Sequence, residues 1–283
     1  MGMEGLGKRG PMQVSLVSVL GNAAECAGVW RMSLAWDALK HEARAARFVM
    51  LALEDRAVQV LPRPFSLSDV YRRSDGLVVT ELLYKPVGRV TRRMSALLPG
   101  SRVHLGGLAG NGFPEADPAK KPVLLAGGIG NAPFALHVRE LLAGTFAGRA
   151  HEVTLVLAGR SATDIWIQPW VRDCGIRILE CTDDGSRGMR GRITDVLSQE
   201  LPSLGAIEAF VCGPEPMLHA VQDMALKAGF TCHLSVEERM ACGYGVCNAC
   251  VVESRGEGLP RGQGQFLKAC VDGPVFEARS IHA

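Results

Sequence analysis

The stretch Met240-Ala-Cys-Gly-Tyr-Gly-Val-Cys-Asn-Ala-Cys250 contains three cysteines spaced C-x4-C-x2-C, and a fourth, Cys270, follows after nineteen further residues. This opening is the plant-type ligand spacing of a [2Fe–2S] cluster. Gly243 and Gly245 are expected to let the loop turn sharply and aim backbone N–H groups at the sulfides. The predicted cluster ligands, in a small C-terminal lobe, are Cys242, Cys247, Cys250 and Cys270.

Zinc is the rival metal for a site of four cysteines. Zinc ligands usually come as two tight pairs of the C-x2-C kind. Here four residues separate the first two cysteines, and the fourth stands alone. The spacing therefore favours iron–sulfur over zinc.

Composition limits the remaining possibilities. The 283 residues leave room for two or three domains, and 31 basic against 29 acidic residues give no general attraction to nucleic acid or an anionic membrane. No apolar run approaches the roughly 18 residues of a membrane span, and segment 1–11 lacks the apolar core of a signal peptide. Nine cysteines, an odd number, argue against a secreted disulfide framework, so we expect a reducing cytoplasm.

Two regions of different texture precede the cysteine-rich segment. Residues 1–118 show short β-like runs separated by Gly, Pro, Asp and Asn, which predict a β-barrel. Residues 119–230 alternate strand and helix, which predicts a parallel sheet with crossover helices. The predicted strands of the first region are Gln13–Leu20, Gly28–Ala35, Arg47–Leu53, Gly76–Tyr84 and Arg102–Leu105. The second region includes a predicted helix over Ala162–Val171, and residues 231–283 form the predicted cluster lobe.

A glycine-rich turn and a Cys-Gly-Pro turn follow strands of the second region. Gly127-Gly128-Ile129-Gly130 follows the apolar run Pro122–Ala126, and Cys212-Gly213-Pro214 ends the last strand. Glycines there let backbone amides approach a pyrophosphate, and ligands bind beyond the carboxyl ends of parallel strands. A plain strand-to-helix turn remains the alternative. The predicted nucleotide-binding residues are Gly127, Gly128, Gly130, Cys212, Gly213 and Pro214.

Two motifs in the first region suit a phosphate and a flat ring. Arg63-Pro64-Phe65-Ser66 presents a cation, an aromatic ring and a hydroxyl on a rigid segment, although an ordinary edge strand explains it equally well. Gly88 and Thr91, at the start of a predicted helix, form a second candidate phosphate contact. Thr91 could equally be a helix cap.

The order of these motifs resembles the ferredoxin–NADP reductase superfamily, in which a β-barrel holds a flavin and an α/β domain binds a nicotinamide nucleotide. With the four-cysteine segment, the chain is similar to the electron transfer subunits of B-type, NAD-dependent dihydroorotate dehydrogenases. The resemblance covers the chain from Met12 onward. The supporting stretches are Thr182–Ser186, Thr194–Leu197, Met240–Gly243 and Lys268–Phe276.

The resemblance implies FAD in the barrel, NAD in the α/β domain and an electron relay between them and the cluster. Electrons would come from a partner, an FMN-containing catalytic subunit that oxidises dihydroorotate in pyrimidine biosynthesis, in a heterotetramer. Arg160 could also suit the 2′-phosphate of NADP. The choice of NAD over NADP therefore rests on the resemblance. Val90 stands where the family usually has glycine, and the loop Gly106–Phe113 is one residue longer. The implied FAD contacts are Arg63, Pro64, Phe65, Ser66, Leu83, Tyr84, Lys85, Val90 and Thr91.

Other functions stay open at this point. The same architecture resembles the small subunit of NADH-dependent ferredoxin:NADP oxidoreductases and the diaphorase subunits of sulfur-reducing hydrogenases. In the first group an acidic residue commonly replaces the first cysteine ligand, so Cys242 favours the dihydroorotate interpretation. A hypothesis of another class is a non-catalytic zinc module on a degenerate flavoprotein scaffold.

Overall fold

Six antiparallel strands close into a barrel in the order β1-β2-β5-β4-β3-β6. The structure is a computed structural model that describes residues 13–26, 28–55, 59–256 and 266–282. Segment 1–11, to which the expectation about a signal peptide refers, lies outside the described residues. The elements are β1 (Val14–Cys26), β2 (Val29–Leu34), β3 (Phe48–Leu53), β4 (Arg63–Arg72), β5 (Val78–Tyr84), α1 (Arg89–Ser95) and β6 (Arg102–Ala109).

Strand β3 is buried at every position because each of its faces meets a different core. Val49 and Leu51 belong to the core inside the barrel, whereas Phe48 and Met50 belong to the core shared with the C-terminal segment. Successive side chains of a strand alternate between its faces. An entirely apolar strand is therefore what two cores require, and β3 forms the wall between barrel and C-terminal lobe.

The second region forms a parallel sheet in the order β10-β9-β8-β7-β11-β12. Its central strand β7 is almost wholly buried, as expected of a parallel strand with both faces covered. Among the described residues, no helix combines the length and apolar character that crossing a membrane needs. The elements are β7 (Lys121–Gly127), α2 (Phe134–Ala143), β8 (Thr154–Gly159), α3 (Pro169–Asp173), β9 (Arg177–Thr182), β10 (Met189–Arg190), α4 (Ile193–Leu204), β11 (Ile207–Cys212), α5 (Glu215–Ala228) and β12 (Thr231–Ser235).

The C-terminal lobe contains the hairpin of β13 (Val251–Glu253) and β14 (Phe266–Lys268) and a last strand, β15 (Val275–Glu277). Strand β15 pairs antiparallel with β12 and makes the main sheet seven-stranded. The predicted fold class, a barrel, a parallel α/β sheet and a small C-terminal cluster lobe, is confirmed. The domain boundaries 1–118, 119–230 and 231–283 stay a prediction. The structure places β12 in the main sheet, although the predicted boundaries assign its residues to the cluster lobe.

The predicted helix over Ala162–Val171 is wrong. The structure has a 3-10 turn over Ala162–Asp164 and the short helix α3, which begins at Pro169. Trp166 lies between them, and its carbonyl accepts a hydrogen bond from Asn131 Nδ2. Because that carbonyl serves a contact with the glycine-rich turn, it is not available to an intrahelical bond, and Pro169 suits the first position of a new helix.

Asn111 ties the barrel to the C-terminal lobe. Its backbone N–H donates to the Gly273 carbonyl at 2.8 Å. Its side-chain amide donates to the carbonyls of Asp272 (3.1 Å) and Val275 (2.8 Å), and its Oδ1 accepts from the Val275 N–H (3.1 Å). One residue in the loop after β6 thus fixes the position of the segment that leads from Cys270 to β15.

Replacing Asn111 by alanine removes three side-chain hydrogen bonds to backbone, of which the two with Val275 are partly buried. We expect Asn111→Ala to lower the free energy of unfolding by about 2–3 kcal/mol, measured by urea denaturation of the cofactor-loaded protein. Gln199→Ala, at an exposed position of α4, is the control and should change stability by less than about 0.5 kcal/mol. An Asn111→Ala protein as stable as this control would contradict the assignment.

Candidate functional site

A cleft between barrel and sheet contains two adjoining cavities. The larger, about 790 Å³, lies against β4, β5 and α1 and is here called the barrel cavity. The smaller, about 540 Å³, lies at the carboxyl ends of β7, β8 and β11 and is called the sheet cavity. Lys85, Ile129 and Glu237 line both cavities, so that ligands in the two would be neighbours.

All nine residues implied to bind the flavin line the barrel cavity. The first four begin β4, the next two end β5, and the last two lie in α1. Residues separated by up to 28 positions in sequence are thereby brought to one cavity. Their contacts with a flavin stay a prediction. They are Arg63, Pro64, Phe65, Ser66, Leu83, Tyr84, Lys85, Val90 and Thr91.

The barrel cavity combines an aromatic wall with cations. The rings of Phe65 and Tyr84 meet edge to face with centroids 6.2 Å apart. The Tyr84 hydroxyl donates to Asn22 Oδ1 at 2.7 Å, and burial raises the pKa of Tyr84 to about 12, so the phenol stays protonated. Arg63 and Lys85 line the same cavity. A flat ring beside a diphosphate fits such a wall and such cations.

Thr91 caps helix α1. Its Oγ1 accepts a hydrogen bond from the Gly88 N–H at 3.0 Å and donates to the Gly88 carbonyl at 3.2 Å. This geometry supports the cap interpretation over a phosphate contact through the hydroxyl. Val90 is buried in the barrel core and supplies apolar wall. The neighbouring Arg89 also lines the cavity and adds a cation that the sequence analysis did not single out.

Five of the six predicted nucleotide residues line the sheet cavity, and the sixth, Cys212, lines the barrel cavity. Cys212 is the last residue of β11 and is buried. Burial raises the pKa of its thiol to about 12, so the group carries no charge at neutral pH. The five residues at the sheet cavity are Gly127, Gly128, Gly130, Gly213 and Pro214.

At most of these glycines, neighbouring protein atoms occupy the space that a side chain would need. A Cβ on Gly130 would overlap the carbonyl of Cys212, and a Cβ on Gly213 would lie 2.6 Å from Met217 Cε. Gly128 differs, because its φ is +54° and a Cβ there would meet nothing within 4 Å. The sequence predicted room for a pyrophosphate along the whole turn. The structure leaves that room at Gly128, whereas the other two glycines let the two turns pack together.

Asp164 organises the charges of the sheet cavity. Its carboxylate lies 3.4 Å from Lys85 Nζ and 3.1 Å from Arg160 Nε. Burial raises the pKa of Asp164, but the Arg160 hydrogen bond and the charge of Lys85 outweigh it and hold the pKa below its ordinary value. Arg160, considered for a 2′-phosphate, is thus already paired with a carboxylate. The same pairing links Lys85 of the barrel to the nucleotide part.

The four predicted cluster cysteines lie as two pairs. The sulfurs of Cys250 and Cys270 are 3.1 Å apart and buried, and the Cys247 side chain is near enough to Cys242 to lower the pKa of its thiol. In the part of the chain that the structure describes, no three metal-ligating side chains form a group for a single ion. Two pairs of thiolates suit the two irons of a [2Fe–2S] cluster.

Backbone N–H groups point at the cysteine sulfurs. The Tyr244 N–H lies 3.3 Å from Cys242 Sγ, and the Gly245 N–H lies 3.1 Å from Cys270 Sγ. Burial raises the pKa of Cys242, but hydrogen bonds from the N–H groups of Tyr244, Cys247 and Val246 and from the Cys247 thiol lower it to about 6. Donors that stabilise a thiolate also stabilise the sulfurs of a bound cluster.

The cysteine segment shares a wall with the barrel cavity. Met240 and Pro274 line that cavity, and they stand two residues before the first cysteine ligand and four after the last. Gly243, with φ at +77°, lies against β3 so closely that a Cβ would be 2.7 Å from Met50 Sδ. A cluster held by these cysteines would therefore lie next to a flavin in the barrel cavity.

Several lining residues escaped the sequence analysis for want of a local pattern. Glu237 and Asp164 sit in no recognisable motif, and only the fold brings them to the cleft. Met240 and Pro274 lie close in sequence to the cysteine ligands. The sequence did not indicate that they also line the barrel cavity. Arg89 opens a basic helix, which is the one signal that could have identified it.

Comparison with known families matches two parts of the chain. Residues 237–282 match the iron–sulfur cluster binding domain of dihydroorotate dehydrogenase B, and residues 124–223 match the oxidoreductase NAD-binding domain. The dihydroorotate dehydrogenase B (NAD(+)) electron transfer subunit of Bacillus velezensis is 30% identical over 95% of this chain and 99% of its own. That of Geobacillus thermodenitrificans is 34% identical over 83% of this chain and 85% of its own. The chain belongs to this family. The resemblance drawn from the motifs is thereby confirmed.

Solved structures share the fold. A structure of the NADH-dependent reduced ferredoxin–NADP oxidoreductase superposes with a TM-score of 0.78 at 23% identity, over 95% of this chain and 90% of that chain. A cytochrome P450 reductase from Amycolatopsis gives a TM-score of 0.60 at 26% identity, over 77% and 66% respectively. The barrel-and-sheet architecture is thus shared with these reductases. The matched domains make this member of the family an NAD-linked oxidoreductase subunit with an iron–sulfur cluster binding domain.

Cys247→Ser tests the ligand assignment. We expect the visible absorption of the cluster to disappear and iron to fall from about two per chain to nearly none, because one thiolate is lost. Flavin should remain, since Cys247 does not line the barrel cavity. Cys174→Ser is the matched control, because its Sγ donates to the Val171 carbonyl and a hydroxyl can do the same. Full iron content in Cys247→Ser, or equal loss in the control, would contradict the assignment.

Proposed function

We propose that this chain receives electrons from an FMN-containing subunit that oxidises dihydroorotate and delivers them to NAD⁺ in pyrimidine biosynthesis. The names of its relatives, dihydroorotate dehydrogenase B (NAD(+)) electron transfer subunits, support this activity. The observation that carries the proposal is the composition of the barrel cavity. Its wall combines flavin-strand residues with Ile129 and Cys212 of the nucleotide part and Met240 and Pro274 of the cysteine segment.

The three carriers differ in how many electrons they move. When bound, the cluster carries one electron at a time, FAD exchanges one or two, and NAD⁺ accepts a hydride. A protein that converts between them has to hold three sites side by side. Arg63 and Arg89 would pair with the flavin diphosphate, Phe65 and Tyr84 would border its ring, and Gly128 would admit the nicotinamide nucleotide.

Glu237 lies at the junction of the two cavities, and Cys212 lines the barrel cavity. Burial raises the pKa of Cys212 to about 12 and that of Glu237 above its ordinary value. The ion pair of Lys85 with Asp164 is internally compensated. With that charge paired, the junction can accommodate two stacked rings. We assign the proton chemistry of dihydroorotate oxidation to the partner subunit.

The cysteine loop is the end of the cleft that a partner can reach. Cys247 is exposed, the Val246 side of the loop is 81% exposed, and Phe266 of the neighbouring hairpin is 58% exposed. An exposed apolar surface beside a cluster suits docking of the FMN-containing subunit. We propose a heterotetramer in the cytoplasm. The free state of all nine cysteines supports a reducing compartment.

The NADH-dependent ferredoxin–NADP oxidoreductase has a similar fold, so a second candidate function is that of its small subunit. In its small subunits an acidic residue commonly stands at the first ligand position, where this chain has Cys242. Relatives of 30% and 34% identity carry the dihydroorotate dehydrogenase name instead. Both observations favour electron transfer from dihydroorotate.

The function is tested by mixing the anaerobically purified protein with the FMN-containing dihydroorotate dehydrogenase subunit of the same host. We expect NADH to form when dihydroorotate and NAD⁺ are added, and we expect Cys247→Ser to abolish this while NADH still reduces its flavin. Absence of dihydroorotate-dependent NADH formation, together with reduction of ferredoxin by NADPH and NADH in the same preparation, would contradict the proposal.

A further inference from the structure

Two carboxylates are buried where the barrel meets the nucleotide part. Asp69 lies in β4 and Glu81 in β5, and both are 0% exposed. The same strands carry the predicted flavin residues Arg63–Ser66 and Leu83–Tyr84. A buried carboxylate persists only where partners compensate the loss of water. The donors that bind these two carboxylates therefore show which elements fix the position of β4 and β5.

Asp69 is held by helices α2 and α3. Arg139 of α2 donates from Nε to Oδ1 at 2.8 Å and from Nη2 to Oδ2 at 2.7 Å. Trp170 Nε1 donates to Asp69 Oδ2 at 3.1 Å, and the Arg139 guanidinium stacks 4.4 Å over the Trp170 ring. Helix α2 is the helix that follows the glycine turn, so Arg139 links that turn to strand β4.

Glu81 is held from the same side. Gln168 Nε2 donates to Glu81 Oε2 at 3.0 Å, while Arg31 and Tyr71 of the barrel donate to Oε1 at 2.7 and 3.2 Å. Gln168 Oε1 in turn accepts from Trp170 Nε1 at 2.9 Å. The two carboxylates thus belong to one network, and it crosses from barrel to nucleotide part at both.

The hydrogen bonds between the barrel and the nucleotide part restrict how the two can move relative to each other. Apolar surfaces can slide by small amounts, whereas a two-point contact between guanidinium and carboxylate fixes both distance and angle. The Ala45 N–H also donates to Glu140 Oε1 at 2.9 Å, so that α2 is held at two adjacent residues. Helix α2 and the loop before α3 are therefore fixed relative to the strands that form the barrel cavity.

We propose that Asp69 and Glu81 are positioning residues for hydride transfer, which through Arg139 and Gln168 hold the nucleotide site at a fixed distance from the flavin strands. The nicotinamide can then reach the flavin ring while the barrel and the nucleotide part stay in contact. In the direction that is easily tested, a hydride leaves NADH, which becomes NAD⁺, and converts oxidised flavin to its two-electron reduced anion. The proposal rests on the proposed function, because it needs a flavin in the barrel cavity and a nicotinamide in the sheet cavity.

Arg139→Lys keeps the charge beside Asp69 and removes the two-point contact. The flavin-loaded variant is mixed with NADH in a stopped-flow instrument. We expect the maximal rate of flavin reduction to fall about tenfold or more, because misplacement by about 1 Å can cost about 100-fold. The NADH concentration for half-maximal rate should change less than about threefold, since the groups that line the sheet cavity are untouched.

A spectrum provides a second measurement that a general loss of stability would not alter in this way. The long-wavelength absorption that arises when reduced flavin stacks on NAD⁺ should weaken in Arg139→Lys, with flavin and iron content unchanged. Arg177→Lys is the matched control, because Arg177 makes the same two-point contact with Glu200 at 2.6 and 3.0 Å inside the nucleotide part. Its rate and spectrum should stay within about twofold of the parent protein.

Gln168→Met covers the case in which Arg139→Lys loses its flavin. It removes the hydrogen bond to Glu81 Oε2, while Arg31 and Tyr71 still donate to Glu81 Oε1. We expect about a threefold fall in the maximal rate and a weaker stacking band. Parent-like rates and spectra in the flavin-loaded variants would overturn the proposal. A parent protein whose flavin NADH does not reduce would instead refute the proposed function.

Discussion

Contact between the cysteine segment and the outer face of β3 determines what this protein can do. Gly243 lies against Met50, and Asn111 holds the segment after Cys270 by four hydrogen bonds. Phe48 of β3 and Met240 and Pro274 of the cysteine segment line the barrel cavity, so the cysteine segment and that cavity adjoin. A one-electron carrier and a two-electron carrier can exchange electrons only at such close range.

The second interface, between barrel and nucleotide part, follows a different physical principle. Domain interfaces within one chain usually permit relative motion unless they are large and apolar. Here Asp69 and Glu81 are buried and satisfied across the interface by Arg139 and Gln168. Opening the interface would leave two buried carboxylates without these partners, and it is therefore disfavoured. The cluster side is fixed by close backbone packing, and the nucleotide side by paired charges.

Features with a local signal could be predicted from the sequence, and features set by distant contacts could not. The apolar run Pro122–Ala126 and the cysteine spacing indicated the sheet and the cluster segment correctly, because burial and ligand spacing leave a periodic or short-range pattern. The helix predicted over Ala162–Val171 is wrong because Trp166 serves a contact with Asn131, 35 residues away. Likewise, Arg139 meets Asp69 over a separation of 70 residues, which no local pattern records.

The central claim is that Cys242, Cys247, Cys250 and Cys270 hold a two-iron cluster within electron-transfer distance of the flavin. The most direct measurement is low-temperature electron paramagnetic resonance of the anaerobically purified protein after addition of NADH alone. We expect bleaching of the flavin and the signal of a reduced [2Fe–2S] cluster, with about two irons and two acid-labile sulfides per chain. Protein that carries flavin yet neither iron nor acid-labile sulfide, even after reconstitution, would contradict it.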